Sequence, residues 1–435
     1  MTFKSFLPEC AGISDNGNLH LGGIDAVELA ERFGTPLYVM DENEIRKNAQ
    51  RFVKSIHEHY GGRGMVSFAS KAFLCKEMCR LAESEGMGLD VVSAGELYTA
   101  MEAGFPMERV TFHGNNKTPE ELACAVSNKV GSIVVDNTFE LHMLEEIAKA
   151  ADETVKIMLR VKPGVEAHTH ELIKTGGIDS KFGFAVETGE ALAAIAEASG
   201  MKHIELAGIH CHIGSQIFDM EPFQLAAKVM LELMHEAKTI LGTELSELVL
   251  GGGFGIQYLP EDNPAPLEKY MESVAETIKE TCERLELTPP AVGIEPGRAV
   301  VGPAGITLYK VGAVKDIPGV RTYVTVDGGM TDNPRPALYG ARYSMTVANK
   351  MNLPQDKLYT VSGRCCETDQ LGANILLQEI NVGDMLAVFG TGAYHYSMAS
   401  NYNRLPKPAV VFVKDGEARV VVRRETLEDV IRNDV

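Results

Sequence analysis

The stretch MVSFASKAFLCKEMCRLAESEGMGLDVVSAGELYTAMEA, residues 65–103, decides the fold. Its apolar runs at 66–69 and 89–92 predict short buried strands, and the segments 76–85 and 94–103 have the spacing of helices that bury one face. Strands that alternate with helices predict parallel βαβ units, because two parallel strands need a crossover connection between them.

The same alternation continues for about 250 residues, the usual length of a (β/α)8 barrel. Helical segments at 119–126 and 139–150 lie between further strands, and Thr118-Pro119-Glu120-Glu121 has the capping residue, proline and acids typical of a helix start. Eight strands in all favour a (β/α)8 barrel, and a doubly wound open sheet is the alternative. The six further predicted strands are residues 110–113, 133–135, 156–161, 206–211, 248–250 and 292–294.

The pattern changes after Gly302, where strand-like runs replace the helical period. This change predicts a second, mostly β domain, to which we also assign the N-terminal residues with a strand at 36–40. The predicted domains are therefore a barrel over 42–303 and a β domain formed by 1–41 and 304–435. The predicted C-terminal strands are residues 322–326, 358–361, 385–389, 409–413 and 418–422.

Composition limits the classes of function. With 45% hydrophobic and 23% charged residues, the 435-residue chain has the composition of a folded globular protein. Its formal net charge of −19 opposes binding to nucleic acid or to anionic lipid, and no apolar run is long enough to span a membrane. Eight cysteines without a C-x-x-C pair argue against a zinc ribbon or a disulfide scaffold. We expect a cytoplasmic protein.

Active sites of (β/α)8 barrels lie at the carboxyl ends of the strands. Polar side chains and glycines collect at these positions of the sequence, and packing alone does not explain such residue types. They are Lys71, Asp90, Ser93, His113, Asn115, Asp136, Arg160, Lys162, His210, His212, Gly251 to Gly253, Glu295 and Arg298.

Two of these features could serve a carbonyl substrate or pyridoxal phosphate, and a phosphate group. A lysine at a strand end, here Lys71, can be desolvated, which lowers the pKa of its amine and suits Schiff-base chemistry; a surface lysine in a loop is the alternative. The loop Gly251-Gly252-Gly253 lets backbone N–H groups approach a phosphate, although it can equally be a tight turn. Its spacing fits neither a P-loop nor a dinucleotide fingerprint.

Two acidic motifs could act with such a cofactor. In Glu295-Pro296-Gly297-Arg298, the carboxylate could keep a pyridine nitrogen protonated, or it could form a structural ion pair with an arginine. In Cys365-Cys366-Glu367, a thiol beside a carboxylate stays protonated and suits a proton donor. Two buried cysteines or a vicinal disulfide are the alternatives for that motif.

A metal site is the rival from a different chemistry. The pairs His168-x-His170 and His210-x-His212 could bind a metal together with Asp90 or Asp327, as in barrel metallohydrolases. The sequence has no H-E-x-x-H motif. An imidazole stacked on an aromatic cofactor would explain His212 equally well.

Nine motifs in order over almost the whole chain resemble the diaminopimelate decarboxylase family. This family consists of fold-type III pyridoxal-phosphate enzymes related to ornithine and arginine decarboxylases and to alanine racemase. The motifs are Phe68-Ala69-Ser70-Lys71-Ala72, His113-Gly114-Asn115-Asn116-Lys117, Asp179-Ser180-Lys181-Phe182-Gly183, His210-Cys211-His212-Ile213-Gly214-Ser215-Gln216, the glycines at 251–253, Glu295-Pro296-Gly297-Arg298, Asp332-Asn333-Pro334-Arg335-Pro336, Cys366-Glu367 and Gly392-Ala393-Tyr394.

The resemblance implies pyridoxal 5'-phosphate as cofactor, no metal, a (β/α)8 barrel with a β domain, and a homodimer with shared active sites. It implies that Lys71 forms the Schiff base and that Cys366, supplied across the dimer interface, protonates the carbon from which carbon dioxide has left. It further implies that Glu295 pairs with the pyridine nitrogen and His212 stacks on the ring. The remaining cofactor-binding residues that it implies are Asp90, Ser215, Gly253, Pro296, Gly297, Arg298 and Tyr394.

The resemblance also implies a reaction, the decarboxylation of meso-2,6-diaminopimelate to L-lysine as the last step of lysine biosynthesis. Arg298 and Arg335, with the hydroxyl of Tyr339, would take the distal carboxylate, and Glu367 the distal ammonium, by charge-assisted hydrogen bonds. Tyr394 is a further substrate-binding candidate. Diamine-forming relatives act on substrates without a distal carboxylate, so Arg335 is the residue that most favours diaminopimelate.

The chain departs from the family at Thr368 and Asp369, which follow Cys366-Glu367 where serine is usual. Three rival functions remain beside the carboxy-lyase. A racemase or a decarboxylase of another basic amino acid is the nearest; a metal-dependent barrel hydrolase and an inactive decarboxylase-like regulator are the others. The regulator predicts a missing lysine or cysteine, but Lys71 and Cys366 are both present.

Overall fold

The computed structural model describes residues 7–165 and 179–435. The chain divides into two compact units. The barrel unit comprises residues 49–255 and 264–297, and the β unit comprises residues 1–48, 256–263 and 298–435. The predicted domain limits, 42–303 for the barrel and 1–41 with 304–435 for the β domain, stay a prediction.

Strands form the sheets of the β unit and the wall of the barrel. In chain order they are β1 (Ala11–Ile13), β2 (Leu19–Leu21), β3 (Ile24–Asp25), β4 (Leu37–Asp41), β5 (Gly64–Ala69), β6 (Gly88–Val91), β7 (Val110–Phe112), β8 (Ser132–Val135), β9 (Val155–Lys162), β10 (Phe184–Ala185), β11 (Ile204–His210), β12 (Glu247–Val249), β13 (Ala291–Ile294), β14 (Gly305–Ile317), β15 (Arg321–Val326), β16 (Met345–Val347), β17 (Lys357–Ser362), β18 (Gln370–Leu377), β19 (Met385–Phe389), β20 (Ala409–Lys414) and β21 (Glu417–Val422).

Helices lie mainly between the strands of the barrel. They are α1 (Ala26–Phe33), α2 (Glu42–Tyr60), α3 (Lys76–Ser84), α4 (Ala94–Ala103), α5 (Pro119–Ser127), α6 (Thr138–Ala151), α7 (Glu190–Ser199), α8 (Glu221–Leu241), α9 (Leu267–Leu285), α10 (Arg298–Val301), α11 (Arg335–Tyr339) and α12 (Leu427–Ile431). In the part of the chain that the structure describes, none of these helices combines the length and the apolar character that a membrane crossing requires.

The barrel is a closed ring of eight parallel strands in the order β5, β6, β7, β8, β9, β11, β12 and β13. Pairing of β13 with β5, where Ile294 faces Val66, and of β8 with β9, where Val135 faces Leu159, closes the ring. The short strand β10 adds to β9 on the outside of this order. All eight predicted strands are confirmed as members of the ring, and the open-sheet alternative is wrong.

Local sequence explains where the barrel helices begin. The side chain of Thr118 accepts a hydrogen bond from the backbone of Glu121, whose side chain bonds back to the cap, with Pro119 in the first position. Ser93 caps α4 and Asn137 caps α6 in the same way. The four predicted helices are confirmed as α3, α4, α5 and α6.

The β unit has a mostly antiparallel sheet with β14 at its centre. Strand β14 pairs antiparallel with β4, β15 and β19, and β20 pairs parallel with β4. The predicted strand at 36–40 is confirmed as β4, whose five residues are all buried. The hydrophobic core of the β unit includes Leu37, Val39, Leu308 and Val411, each fully buried.

Candidate functional site

Four buried side chains meet at the carboxyl ends of the barrel strands, and we call Asp90, His113, His210 and Glu295 the acid–histidine cluster. Glu295 directly follows β13. Its Oε1 atom lies 3.0 Å from Nε2 of His113, and its Oε2 atom lies 3.0 Å from Nε2 of His210. Nε2 of His113 is also 3.5 Å from Oδ1 of Asp90. The carboxyl ends of β7, β11 and β13 therefore meet at one carboxylate, that of Glu295.

Glu295 carries a negative charge in this cluster. Burial raises the pKa of Glu295, but the neighbouring His113 and His210 outweigh burial and hold that pKa well below its usual range. Burial lowers the pKa of His210 to about 4 and raises the pKa of Asp90. At neutral pH, an uncharged His210 thus donates a hydrogen bond to an ionised Glu295.

The glycine loop brings His212 beside Glu295. The backbone N–H of Gly252 donates to Nδ1 of His212 over 3.2 Å. A Cβ atom on Gly251, which has a φ of +69°, would lie 2.7 Å from Nδ1 of His212, and one on Gly252 would collide with the carbonyl oxygen of Glu295. Burial, with the charge of Lys71, lowers the pKa of His212 well below its usual value, so its ring is neutral.

Lys71 lies on the single 3-10 turn, residues 70–72, that follows β5, and its side chain is exposed. The N–H of Ala69 donates to the carbonyl of Pro296 over 3.2 Å. A Cβ atom on Gly297 would lie 3.0 Å from the Cβ atoms of Ala69 and Ala72. Pro296 and Gly297 therefore pack directly against the turn that carries Lys71.

Gly253 and Ser215 lie on two loops that are joined by a backbone hydrogen bond. The N–H of Ile217 donates to the carbonyl of Gly253 over 2.9 Å. Gly253 has a φ of +108°, and a Cβ atom there would lie 2.5 Å from the carbonyl oxygen of Gly214. Only glycine fits this position, which keeps the half-buried Ser215 beside the glycine loop.

The β unit contains a second buried group, built on two arginines. Arg298, 5% exposed, donates from Nη1 to the hydroxyl of Tyr258 over 2.6 Å, and its Cζ atom lies 4.8 Å from the ring centroid of Tyr394. Burial lowers the pKa of Arg298, but its tyrosine neighbours outweigh burial and raise that pKa. The guanidinium is therefore charged.

The second arginine shares Tyr394 with the first. Arg335, 8% exposed, donates from Nε to the hydroxyl of Tyr343 over 2.9 Å. Its Cζ atom lies 5.5 Å from the ring centroid of Tyr394 and 5.0 Å from that of Tyr339. The predicted Arg298, Arg335, Tyr339 and Tyr394 are thus brought together. The arginine–tyrosine cluster comprises Arg298, Arg335, Tyr258, Tyr339, Tyr343 and Tyr394.

Cys366 and Glu367 are exposed on a loop whose backbone is fixed. The N–H of Cys366 donates to Oδ1 of Asn403 over 3.0 Å, and Oε1 of Glu367 accepts from the hydroxyl of Tyr402 over 2.7 Å. The thiols of Cys365 and Cys366 are free, and only Cys365 is buried. A vicinal disulfide and a pair of buried cysteines are therefore both wrong as interpretations of this motif.

The unusual Asp369 holds that loop in place. Its carboxylate accepts hydrogen bonds from the N–H groups of Met330 over 2.6 Å and of Cys365 over 2.8 Å. A Cβ atom on Gly329 or Gly363 would collide with the same carboxylate. The departure from the family pattern is thus a structural support for the loop of Cys366.

Of the predicted metal ligands that the structure describes, only His210 belongs to the group of close donor atoms. Within the described ranges, one donor atom each from His113, His210 and Glu295 lies within 4.8 Å of the others. Asp327 belongs instead to the β unit, where its Oδ2 atom accepts from Thr35 over 2.5 Å. The pair His168-x-His170 lies outside the described residues.

From the sequence, His113 is a strand-end residue without an assigned role and His210 is a possible metal ligand; the structure places both against Glu295. Arg160, another strand-end residue, lies 4.0 Å from Asp136. Strand-end position was the available signal for all three. Tyr258 and Tyr343 had no signal in the sequence.

Comparison with known proteins agrees with this geometry. A family model described as "Pyridoxal-dependent decarboxylase, pyridoxal binding domain" matches residues 42–302. Diaminopimelate decarboxylase of Bacillus subtilis (strain 168) is 50% identical over 431 residues, which cover 99% of this chain and 98% of the relative. The Staphylococcus aureus (strain COL) enzyme is 45% identical, with 97% and 98% covered.

Solved structures show the same likeness. The crystal structure of diaminopimelate decarboxylase from M. jannaschii in complex with L-lysine superposes with a TM-score of 0.91 at 35% identity, covering 98% of each chain. The Helicobacter pylori enzyme complexed with L-lysine has a TM-score of 0.85 at 30% identity, covering 94% of this chain and 98% of that one.

Proposed function

Since the chain belongs to the diaminopimelate decarboxylase family of pyridoxal-dependent decarboxylases, we propose that it binds pyridoxal 5'-phosphate and converts meso-2,6-diaminopimelate to L-lysine and carbon dioxide. The reaction would be the last step of lysine biosynthesis. The observation that carries the proposal is the buried, ionised Glu295, held by two histidines at the barrel mouth that also carries Lys71.

The residues of the barrel mouth fit this cofactor. Lys71 supplies the amine for covalent attachment, and the neutral ring of His212 can stack on an aromatic ring without repelling a positive charge. When bound, pyridoxal phosphate accepts the electrons that remain when the α-carboxylate leaves. The negative Glu295 favours a protonated pyridine nitrogen, which strengthens that electron acceptance, and Asp90 supports the cluster through His113.

The phosphate of the cofactor needs N–H donors and positive charge. We assign Ser215, Gly253, Pro296 and Gly297 of the barrel unit to this task. From the β unit we add Arg298, whose guanidinium is charged, and Tyr394. The tight packing of the glycines keeps these loops open to a phosphate.

Substrate choice follows from the second amino-acid group of diaminopimelate. Arg335, with Tyr339 and Arg298, is suited to bind the distal carboxylate, since a guanidinium recognises a carboxylate by two parallel hydrogen bonds. Glu367, oriented by Tyr402, is suited to bind the distal ammonium. Tyr394 lies between both guanidiniums and can contribute to either task.

We further propose a homodimer in which Cys366 protonates the α-carbon in the site of the partner. A proton donor must come within hydrogen-bond reach of the atom that it protonates. Cys366 is exposed on its own chain while its backbone is fixed by Asn403, an arrangement suited to a residue that completes another subunit's site. Eight free cysteines favour a reducing, cytoplasmic location.

Mixing inactive variants tests this shared site. Lys71→Ala and Cys366→Ala homodimers are each expected to be inactive. After subunit exchange, half of the dimers would be hybrids with one intact site, so about a quarter of wild-type activity should return. No recovery after proven exchange would place Lys71 and Cys366 in the same subunit's site.

The function itself is tested with four substrates. The purified protein, supplied with pyridoxal phosphate, is incubated separately with meso-diaminopimelate, ornithine, arginine and lysine, and the products are separated by chromatography. Lysine and carbon dioxide from diaminopimelate alone are expected. Turnover of another basic amino acid would be consistent with the proposed cofactor site, but it would overturn the assignment of Arg335 to the distal carboxylate.

A metal-dependent barrel hydrolase is the second candidate, favoured by the close donor atoms of His113, His210 and Glu295. It predicts stoichiometric zinc in the purified protein and loss of activity on chelation. Full decarboxylation in the presence of a chelator would exclude it.

A further inference from the structure

A cavity of about 310 Å³ runs inside the barrel, from its amino-terminal opening to Glu295. Residues near the starts of strands form the opening, among them Gly64, Lys156 and Glu247. The ammonium of Lys156 pairs with the carboxylate of Glu247 there. Glu295 lines the other end, so the cavity reaches the acid–histidine cluster from the side opposite to Lys71.

The wall of this cavity mixes apolar side chains, such as Met65, Met158 and Val249, with small and polar ones. Bulky branched side chains normally fill the interior of a (β/α)8 barrel. Here Ser67, Thr111 and Ser132 contribute hydroxyl groups, and Gly293 contributes no side chain. Gly293 lies half-buried in a strand that is paired on both sides, and a Cβ atom there would lie 2.7 Å from Cγ2 of Val249.

One unpaired hydroxyl in the cavity calls for a hydrogen-bonding ligand, and the charge of Glu295 at its end favours a polar one. The hydroxyl of Ser132 is buried and has no hydrogen-bond partner in the described part of the protein. The carboxylate of Glu295 is ionised, and burial of a charge is costly unless dipoles or water surround it. Unpaired buried hydroxyls are normally satisfied by ordered water.

The cavity is also large enough for water. One molecule needs about 10 to 15 Å³ of such space, so several can stand in contact with one another. Apolar cavities of comparable size stay dry, but this one has hydroxyl groups along its wall and a carboxylate at its end. Water is therefore the ligand that its chemistry fits.

We propose that the lumen of the barrel is a water-filled well that carries solvent from the amino-terminal opening to the carboxylate of Glu295. The hydroxyls of Ser67, Thr111 and Ser132 bind the water. The well hydrates Glu295 while a ligand covers the carboxyl ends of the strands. The inference rests on the cavity and stands independently of the proposed function.

Radiolytic oxidation of the full-length protein, loaded with pyridoxal phosphate, tests the well. Radiation produces hydroxyl radicals from water at the place where the water resides, and methionine is readily oxidised by them. Met158 lines the cavity and is 3% exposed, while Met234 on α8 is equally buried and does not line it. Met158 should be oxidised several-fold faster than Met234, as measured by mass spectrometry. Equal rates would overturn the proposal.

A filling variant sharpens the test. Ser132→Leu removes the unpaired hydroxyl and occupies the lumen, so the oxidation rate of Met158 should fall to that of Met234. Ser127→Leu, an exposed serine on α5, is the matched control and should leave the rate unchanged. Persistent excess oxidation of Met158 in folded Ser132→Leu would contradict the well.

The wild-type comparison of Met158 with Met234 decides the question even where Ser132→Leu fails to fold. Decarboxylation is assayed on the same wild-type sample. Excess oxidation of Met158 without lysine formation would keep the well and reject the proposed function. Lysine formation with equal oxidation rates of Met158 and Met234 would support the proposed function and reject the well.

Discussion

The two units bury charges of opposite sign. The acid–histidine cluster of the barrel unit holds a buried anion, and the arginine–tyrosine cluster of the β unit holds buried cations. In the first, Glu295 is negative and its partners include the neutral imidazole of His210. In the second, Arg298 and Arg335 are positive, and phenol oxygens and aromatic faces surround them.

The difference shows what each cluster is prepared to bind. A buried charge is tolerated when hydrogen bonds or aromatic faces replace part of its hydration, but its attraction for an opposite charge persists. The acid–histidine cluster therefore favours a cation such as a protonated ring nitrogen. The arginine–tyrosine cluster favours anions such as a phosphate or a carboxylate.

The largest expected effect concerns a buried pair in which opposite charges do meet. Nζ of Lys117 lies 2.7 Å from Oε1 of Glu140 and donates to the carbonyls of Gly114 and Val134. Lys117→Met leaves Glu140 buried without its cation, so the free energy of unfolding should fall by about 3 to 5 kcal/mol in urea titrations. The double variant Lys117→Met/Glu140→Leu should recover most of this loss. An unchanged unfolding midpoint in Lys117→Met would show that the buried Glu140 does not need the positive charge of Lys117.

Removal of one guanidinium tests the anion preference of the β unit. Arg335→Met should weaken binding of diaminopimelate by about 2 to 5 kcal/mol, seen as a higher KM, because the distal carboxylate loses a desolvated partner. Arg342→Met, which removes an exposed arginine paired with Glu261, is the control. If both variants keep the wild-type KM, the cluster does not bind the substrate.

Neutralising Glu295 tests the cation preference of the barrel unit. Glu295→Gln should lower kcat by about 10²- to 10³-fold, the usual cost of losing one electrostatic stabiliser, with little change in KM. Glu268→Gln, at an exposed pair with Arg51, serves as the control. A kcat equal to that of the wild type would show that the charge of Glu295 has no part in the reaction.

The smallest effect concerns one buried histidine in each unit. Burial lowers the pKa of His210 to about 4 and that of His395 to about 3, whereas both take up protons near pH 6.5 when unfolded. The unfolded chain therefore binds more protons below pH 6.5, and the free energy of unfolding should fall by about 1.4 kcal/mol per pH unit for each histidine as the pH drops toward 4.

The variant His395→Gln should reduce that slope, since it removes one of the buried histidines whose pKa is lowered in the folded protein. His57→Gln, an exposed position on α2, is the control. Urea unfolding between about pH 7 and about pH 5 gives the slopes. The same slope in His395→Gln and the wild type would mean that His395 titrates normally in the folded protein.

Much of the fold was predictable because the barrel strands are short apolar runs that alternate with helical segments, some of which have their own start signal. Thr118 and Pro119 mark such a start in the sequence and form the cap in the structure. Strand β14 was not predicted, although it is central to its sheet. Its second half is almost entirely exposed, so its sequence lacks the continuous apolar run of a buried strand.

The site was predictable in part, because residues such as Glu295 and Lys71 directly follow apolar runs, and the carboxyl ends of barrel strands carry the chemistry. The partners of these residues were not predictable. His113 and Glu295 lie at the ends of strands β7 and β13, which are not neighbours in the ring, so only its closure decides their 3.0 Å contact. Tyr258 and Tyr343 lie outside regular elements and carried no pattern.

The sequence by itself determined the order of strands and helices, the strand ends with polar residues and the motifs of the decarboxylase family, because periodicity, capping and residue type are local properties. The tertiary structure alone decided which charges are buried together, which histidine is neutral and why a cavity remains beneath Glu295. These features depend on the distances between residues that are far apart in the chain and on the access of solvent to them. Distance and solvent access set the pKa of each group, and the packing of distant side chains sets the space that small ones leave.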